Sequence, residues 1–184
     1  MQKVISTTLY TIDDHPQPEL VFDWMRANSD NDHYVVYEIV DTLKAFCTHY
    51  DVQILDWSIS AHSDRGECVD IDCGEVSELH GVRLWKYINN NYSTYFDNFT
   101  KKQDQVLSGN CPFTGVCWDE SALDPMRDFM KKPDSLTYQE LMSDCIAELI
   151  SALHRDSEYR DSDEAIREDC ICNDYYFDDQ GAMG

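Results

Sequence analysis

The chain has 184 residues, 42% hydrophobic and 12% aromatic, with 36 Asp and Glu against 14 Lys and Arg, a formal net charge of −22. That apolar content excludes a disordered chain, and the length allows one large domain or two small packed ones with a core that needs no staples. So much negative charge repels phosphate backbones and anionic membranes, which excludes direct nucleic-acid binding, and it speeds encounter with basic partners in a salt-dependent way.

Met1 to Tyr10 shows no basic stretch followed by an apolar run, and nothing approaches the roughly 18 apolar residues of a membrane span. A cytoplasmic protein is expected, its eight cysteines reduced thiols. Val4 to Thr11 alternates and is rich in β-branched residues, predicting a first strand. A turn over Asp13 to Pro18 leads into a short helix to about Ala27, with Pro18 in its first turn. From about Asp32 to Tyr50, Val36, Ile39, Val40, Leu43, Phe46, Cys47 and Tyr50 recur at helical spacing and predict a core-facing helix.

Gln53 to Ser60 and Glu67 to Asp72 alternate around a polar turn and predict a hairpin. Its apolar face is expected to hold Leu55, Trp57, Ile59, Val69 and Ile71, and its outer face Asp56, Asp70 and Asp72. Gly81 to Tyr92 predicts a helix with Trp85, Ile88 and Tyr92 inward, and the stretch on to Gly109 a loop-rich excursion. Cys111 to Trp118 predicts a compact turn, and Glu120 to Met130 a helix stopped by Lys131, Lys132 and Pro133. Thr137-Tyr138-Gln139-Glu140 has the spacing of a capping box and opens a long helix to about Tyr159. A short helix after Asp161 or Ser162 and a strand over Asp174 to Phe177 complete the chain. Gly181-Ala182-Met183-Gly184 reads as an appended remnant outside the fold.

Asp134 to Asp179 holds 14 acidic residues and three basic ones, half the net charge in a quarter of the chain. Glu140, Asp144 and Glu148 repeat at i, i+4, about 6 Å apart along a helix axis. That spacing is of the order of the distance between successive phosphates, and ordered rows of this kind suit a groove built for a nucleic acid. Glu140, Asp144, Glu148, Asp156, Glu158, Asp161, Asp163 and Glu164 are therefore the candidate partner contacts. The competing reading is a solvated acidic face that serves solubility.

Two other constellations bear on chemistry. Asp56, Asp70 and Asp72, if convergent, have the hard oxygen donors that Mg²⁺ requires and would permit metal-assisted phosphoryl chemistry. A polar outer sheet face explains them more simply, and the net charge opposes a nucleic-acid substrate. The pairs Cys68/Cys73, Cys111/Cys117 and Cys170/Cys172 lack the usual spacing of zinc sites, so buried reduced thiols are the first reading, and a zinc site completed by His62 or His80 is the weaker alternative. His62-Ser63-Asp64 contains triad residue types, but sequence neighbours do not make triad geometry. No cofactor is expected.

Several segments carry a resemblance: Thr8-Leu9-Tyr10-Thr11-Ile12-Asp13-Asp14 followed by Trp24-Met25-Arg26, Cys111-Pro112-Phe113-Thr114-Gly115-Val116-Cys117, Leu123-Asp124-Pro125, Lys132-Pro133, Tyr138-Gln139-Glu140-Leu141, Asp144-Cys145, Ser162-Asp163-Glu164-Ala165-Ile166 and Asn173-Asp174-Tyr175-Tyr176-Phe177. Here the chain resembles small acidic proteins encoded by phages and prophages, some loosely labelled antitoxin-like. The likeness covers both ends and most of the C-terminal half. It implies a mobile-element setting in a bacterial host cytoplasm and supplies no catalytic residues.

The expected fold is α+β, a small mostly antiparallel sheet packed by helices, with an α+β part over residues 1–110 and an acidic helical part over 111–180. The expected function is non-enzymatic: an anti-defence inhibitor, of the anti-CRISPR or anti-restriction type, that binds a basic host protein or nucleoprotein complex, a nuclease or defence effector, by DNA mimicry. A homodimer is compatible with this. The alternatives are a metal-dependent enzyme built on the Asp cluster and an antitoxin or adaptor.

Overall fold

The computed structural model describes residues 8–28, 31–61, 67–92 and 113–184. The protein is α+β, with the helices α1 (Pro18–Asn28), α2 (Asn31–His49), α3 (Gly81–Tyr92), α4 (Trp118–Lys131), α5 (Tyr138–Arg160) and α6 (Asp163–Cys172). The strands β1 (Gln53–Ser58) and β2 (Cys68–Asp72) form a two-stranded antiparallel sheet. The chain divides into two compact units, a central one (33–154) and a terminal one (1–32 with 155–184). Apolar residues from both chain ends share the core of the terminal unit.

The central unit is built on a continuous apolar cluster. Ile39, Leu43 and Phe46 of α2 with Tyr50 just beyond it, Leu84 and Ile88 of α3, Leu123 and Met126 of α4, and Leu141, Met142, Cys145 and Leu149 of α5 are all buried in it. These are the helical-period positions, so each helix exists by burying one stripe. α2 ends in a left-handed residue, Asp51 (φ 57°), while Val52 N–H donates to the Cys47 carbonyl at 2.9 Å. This closure satisfies an orphan carbonyl and launches β1. α4 tolerates Pro125 in its interior, at the loss of one helical hydrogen bond.

The hairpin forms as expected, but one face is rebuilt. A bulge between Ile54 and Asp56 changes the pairing to Ile54↔Ile71, Asp56↔Asp70 and Trp57↔Val69. Ile54 packs against the core, while Leu55, expected inward, is 54% exposed. An extra residue in one strand reverses the alternation beyond it.

At the start of α5 the capping box is complete. Glu140 N–H donates to Thr137 Oγ1 at 3.2 Å, and Thr137 N–H donates to Glu140 Oε2 at 2.8 Å. Gln139 then clamps the end of β2, accepting from Cys73 N–H (3.1 Å) and donating to the Ile71 carbonyl (2.8 Å).

The terminal unit has a smaller core of Ile12, Val21, Ile166, Cys170 and Phe177, with Phe22, Trp24, Met25 and Tyr175 packed against it. Of the two strands expected here, residues 4–7 lie outside the described residues. The rest reduces to single antiparallel bridges, Tyr10↔Phe177 and Phe177↔Met183. Buried His15 holds this arrangement: its Nδ1 accepts from Gln17 N–H at 3.1 Å, so its Nε2–H donates to the Asp178 carbonyl at 2.8 Å.

The tail expected to stand outside the fold is part of it. Asp178 N–H donates to the Ala182 carbonyl (2.9 Å), and Gly184 N–H donates to the Tyr176 carbonyl (2.9 Å). Gly181, at φ 80°, packs so closely that a Cβ would lie 2.6 Å from the Leu20 carbonyl carbon. Only glycine meets both demands, which small-residue composition alone did not reveal.

Candidate acidic interaction surface

The eight carboxylates predicted as partner contacts fall on both units. In the central unit, Glu140 and Asp144 are exposed, and Glu148 is half-buried and already engaged. Helical geometry sets successive members of this trio about 40° apart in azimuth, so they form one row. Glu140 serves the helix as well. Its bonds from the Thr137 backbone N–H and then the hydroxyl pull its pKa below the ordinary carboxyl value.

The five in the terminal unit do not form a continuation of that row. Asp156 and Glu158 are two residues apart, on opposite sides of α5. Asp156 is half-buried and pairs with Arg160 at 2.6 Å, whereas Glu158 is exposed. Asp161 contributes its carbonyl, which accepts from Arg26 Nε–H at 2.8 Å, and the Asp163 carboxylate pairs with the same guanidinium. Asp163 and Glu164 occupy the first turn of α6 behind the Ser162 cap, whose Oγ accepts from Ala165 N–H at 3.2 Å. Carboxylates there also complement the positive end of the helix dipole.

Among the described residues, every arginine of the terminal unit is occupied. Arg26 holds Asp23 and Asp163, Arg160 holds Asp156, Arg167 holds Asp13 at 2.5 Å, and Arg155 is also engaged. The side-chain carboxylates of Glu19, Glu158, Glu164, Asp174 and Asp179 make no hydrogen bond or ion pair among the described residues. The uncompensated field is felt by Tyr159, whose phenol pKa is raised first by the charge of Glu168 and further by Glu164.

The hairpin acids take structural positions. Asp56 and Asp70 face each other across the ladder, an unfavourable pairing of like charges, while Asp72 stands opposite Gln53. Asp56 accepts from Trp57 N–H, and Asp72 from Gly74 N–H, each at 2.8 Å. Among the described residues no group of three or more His, Cys, Asp or Glu is placed to hold a metal ion. The simpler reading, a polar outer face, describes their positions: alternate strand residues stand about 7 Å apart, and the Asp56 and Asp72 carboxylates turn to local backbone N–H groups.

The described cysteines are free thiols. Cys68 and Cys172 are exposed while their sequence partners Cys73 and Cys170 are buried, so neither pair presents two sulfurs together. Burial pushes Cys47 up to about 12, and Cys73 and Cys170 up to about 11, which keeps them protonated and inert. Cys111 and the His62-Ser63-Asp64 segment lie outside the described residues.

Two polar centres escaped the sequence reading. Asp119, fully buried at the start of α4, accepts from the backbone N–H groups of Phe113 (2.7 Å), Thr114 (2.8 Å) and Gly115 (3.3 Å). It also accepts from the hydroxyls of Thr114 (2.7 Å) and Thr42 (3.3 Å). His154 Nε2 lies 2.8 Å from Glu67 Oε1, which also accepts from Ser60 N–H at 3.1 Å. Separations of 77 and 87 residues leave no periodic trace of the Thr42–Asp119 and Glu67–His154 pairs. Both centres tie loops to helices.

Among the described residues no helix is long and apolar enough to cross a membrane. No family model, curated protein or solved structure matches the chain.

Proposed function

We propose that this chain is a stoichiometric inhibitor, encoded by a phage or other mobile element, that binds a basic nucleic-acid-handling host protein in place of its nucleic acid. The partner class is a nuclease or another defence effector in the bacterial cytoplasm. One observation carries the reading. The terminal unit mounts 16 acidic residues against five basic ones, and every described arginine there is already engaged. The remaining carboxylates sit on α1, α5, α6 and the strap beyond, where a basic groove can meet them. Exchanging solvated surface acids for contacts with a basic partner gains on-rate and specificity, at the cost of strong salt dependence.

The test is capture from bacterial lysate on immobilised protein, eluted with graded NaCl and, separately, with duplex DNA. A basic nucleic-acid-binding protein released by both supports the reading, and the variant E158Q/E164Q/D174N should retain much less of it. Retention at molar salt together with indifference to DNA would overturn the proposal.

A further inference from the structure

The last turn of α6 holds no basic residue. Asn173 Nδ2–H caps it by donating to the Asp169 carbonyl and carboxylate, and Asp174 follows at φ 52°. A helix carboxyl end concentrates partial negative charge and is ordinarily complemented by a cation. A cleft of about 170 Å³ opens beside it, and Ile12, Asp13, Ile171, Asp174, Tyr175 and Tyr176 are among its walls. Asp13 holds Arg167 through Oδ1, and its second oxygen retains acceptor capacity. Ile171 and Tyr176 are 52% and 48% exposed, so an apolar and aromatic rim surrounds the acids.

These features together suit one occupant. The volume is below the roughly 300 Å³ of the smallest drug or cofactor pockets, and it suits a single side chain. Isoleucine and tyrosine walls accept methylenes, aromatic faces attract a delocalised cation, and carboxylates bind it through forked hydrogen bonds. We infer that this cleft receives an arginine side chain presented by the partner protein. This deepens the inhibitor reading by naming the residue type through which a basic partner is anchored, and it rests on that reading only for the partner's class.

The test titrates the full ¹⁵N-labelled chain with acetyl-Gly-Arg-Gly-amide and with the same peptide carrying citrulline, which keeps the shape and loses the charge. Saturable shifts should be confined to residues 11–13 and 170–176, with the citrulline peptide about tenfold weaker. D174N, in which asparagine keeps the left-handed backbone, should weaken arginine binding about fivefold. Y176A should also weaken it, while the charge-matched E19Q on α1 should not. Equal affinity for citrulline, equal effects of D174N and E19Q, or the absence of saturable shifts at these residues would overturn the assignment. The peptide is measured on the protein alone, so a failed titration leaves a positive capture standing, and a failed capture leaves cleft binding intact.

Discussion

The two units carry the same charge on different foundations. The central unit has 20 acidic and nine basic residues, the terminal unit 16 and five, so each is at −11, but the terminal unit spreads it over half as many residues. Among the described residues, the central unit offsets its self-repulsion with 26 buried core residues, whereas the terminal unit has five. It relies instead on single β-bridges, the His15 clasp and arginine clamps. A small core with a dense like charge is the combination that opens at low free energy and responds to salt. A basic partner of the kind proposed, bound at the terminal unit, would stabilise it by mass action.

The largest effects should separate the units. Phe177→Ala removes a fully buried ring from the five-residue core and should cost about 3–5 kcal/mol. Hydrogen exchange should then rise over residues 8–28 and 161–184 while α3 and α4 stay protected; loss of protection throughout would break the comparison. Asp119→Ala in the central unit should cost about 3 kcal/mol, measured by urea unfolding, because it strips the acceptor from three backbone N–H groups. A smaller loss, about 2 kcal/mol, is expected for Gly181→Ala, from its left-handed backbone and the contact with Leu20. If Gly181→Ala melts like the unsubstituted chain, the tail is not part of the terminal core.

Subtler differences sharpen the contrast. The α5 cap depends on the Glu140 carboxylate, whose folded pKa is lowered. Its contribution is complete above the unfolded value of about 4.3 and fades as pH falls through the lower folded value. The α6 cap has Ala165 where the box would place a carboxylate, so amide exchange at its start should lack this acid-driven step. Native alkylation near pH 8 should modify Cys68, Cys117 and Cys172 and spare Cys47, Cys73, Cys145 and Cys170, read by mass spectrometry. Labelling of Cys170 as fast as Cys172 would mean that the terminal core opens more readily than its burial implies.

Much of the secondary structure was legible. Period and caps placed α1, α2, α3 and α5, and the start of α6, within one or two residues, because each helix is held by its own stripe or by groups three or four positions away. The hairpin was legible as an element but not in its bulge, which the alternation of Gln53 to Ser60 does not announce. The candidate acids were legible as a list, and their pairing was not: Asp163 and Asp13 find arginines 137 and 154 positions away along the chain.

The sequence by itself determined what acts locally or additively: the helical stripes, the reciprocal cap at Thr137 and Glu140, and a net charge that no folding can change. Only the tertiary structure decided which carboxylates are spent on internal arginines, that Gly181 to Gly184 belong to a core, and that the two chain ends share one unit. The reason is physical. Local order follows interactions across three or four residues, while charge compensation and close packing join residues whose separation in the chain places no constraint on their separation in space.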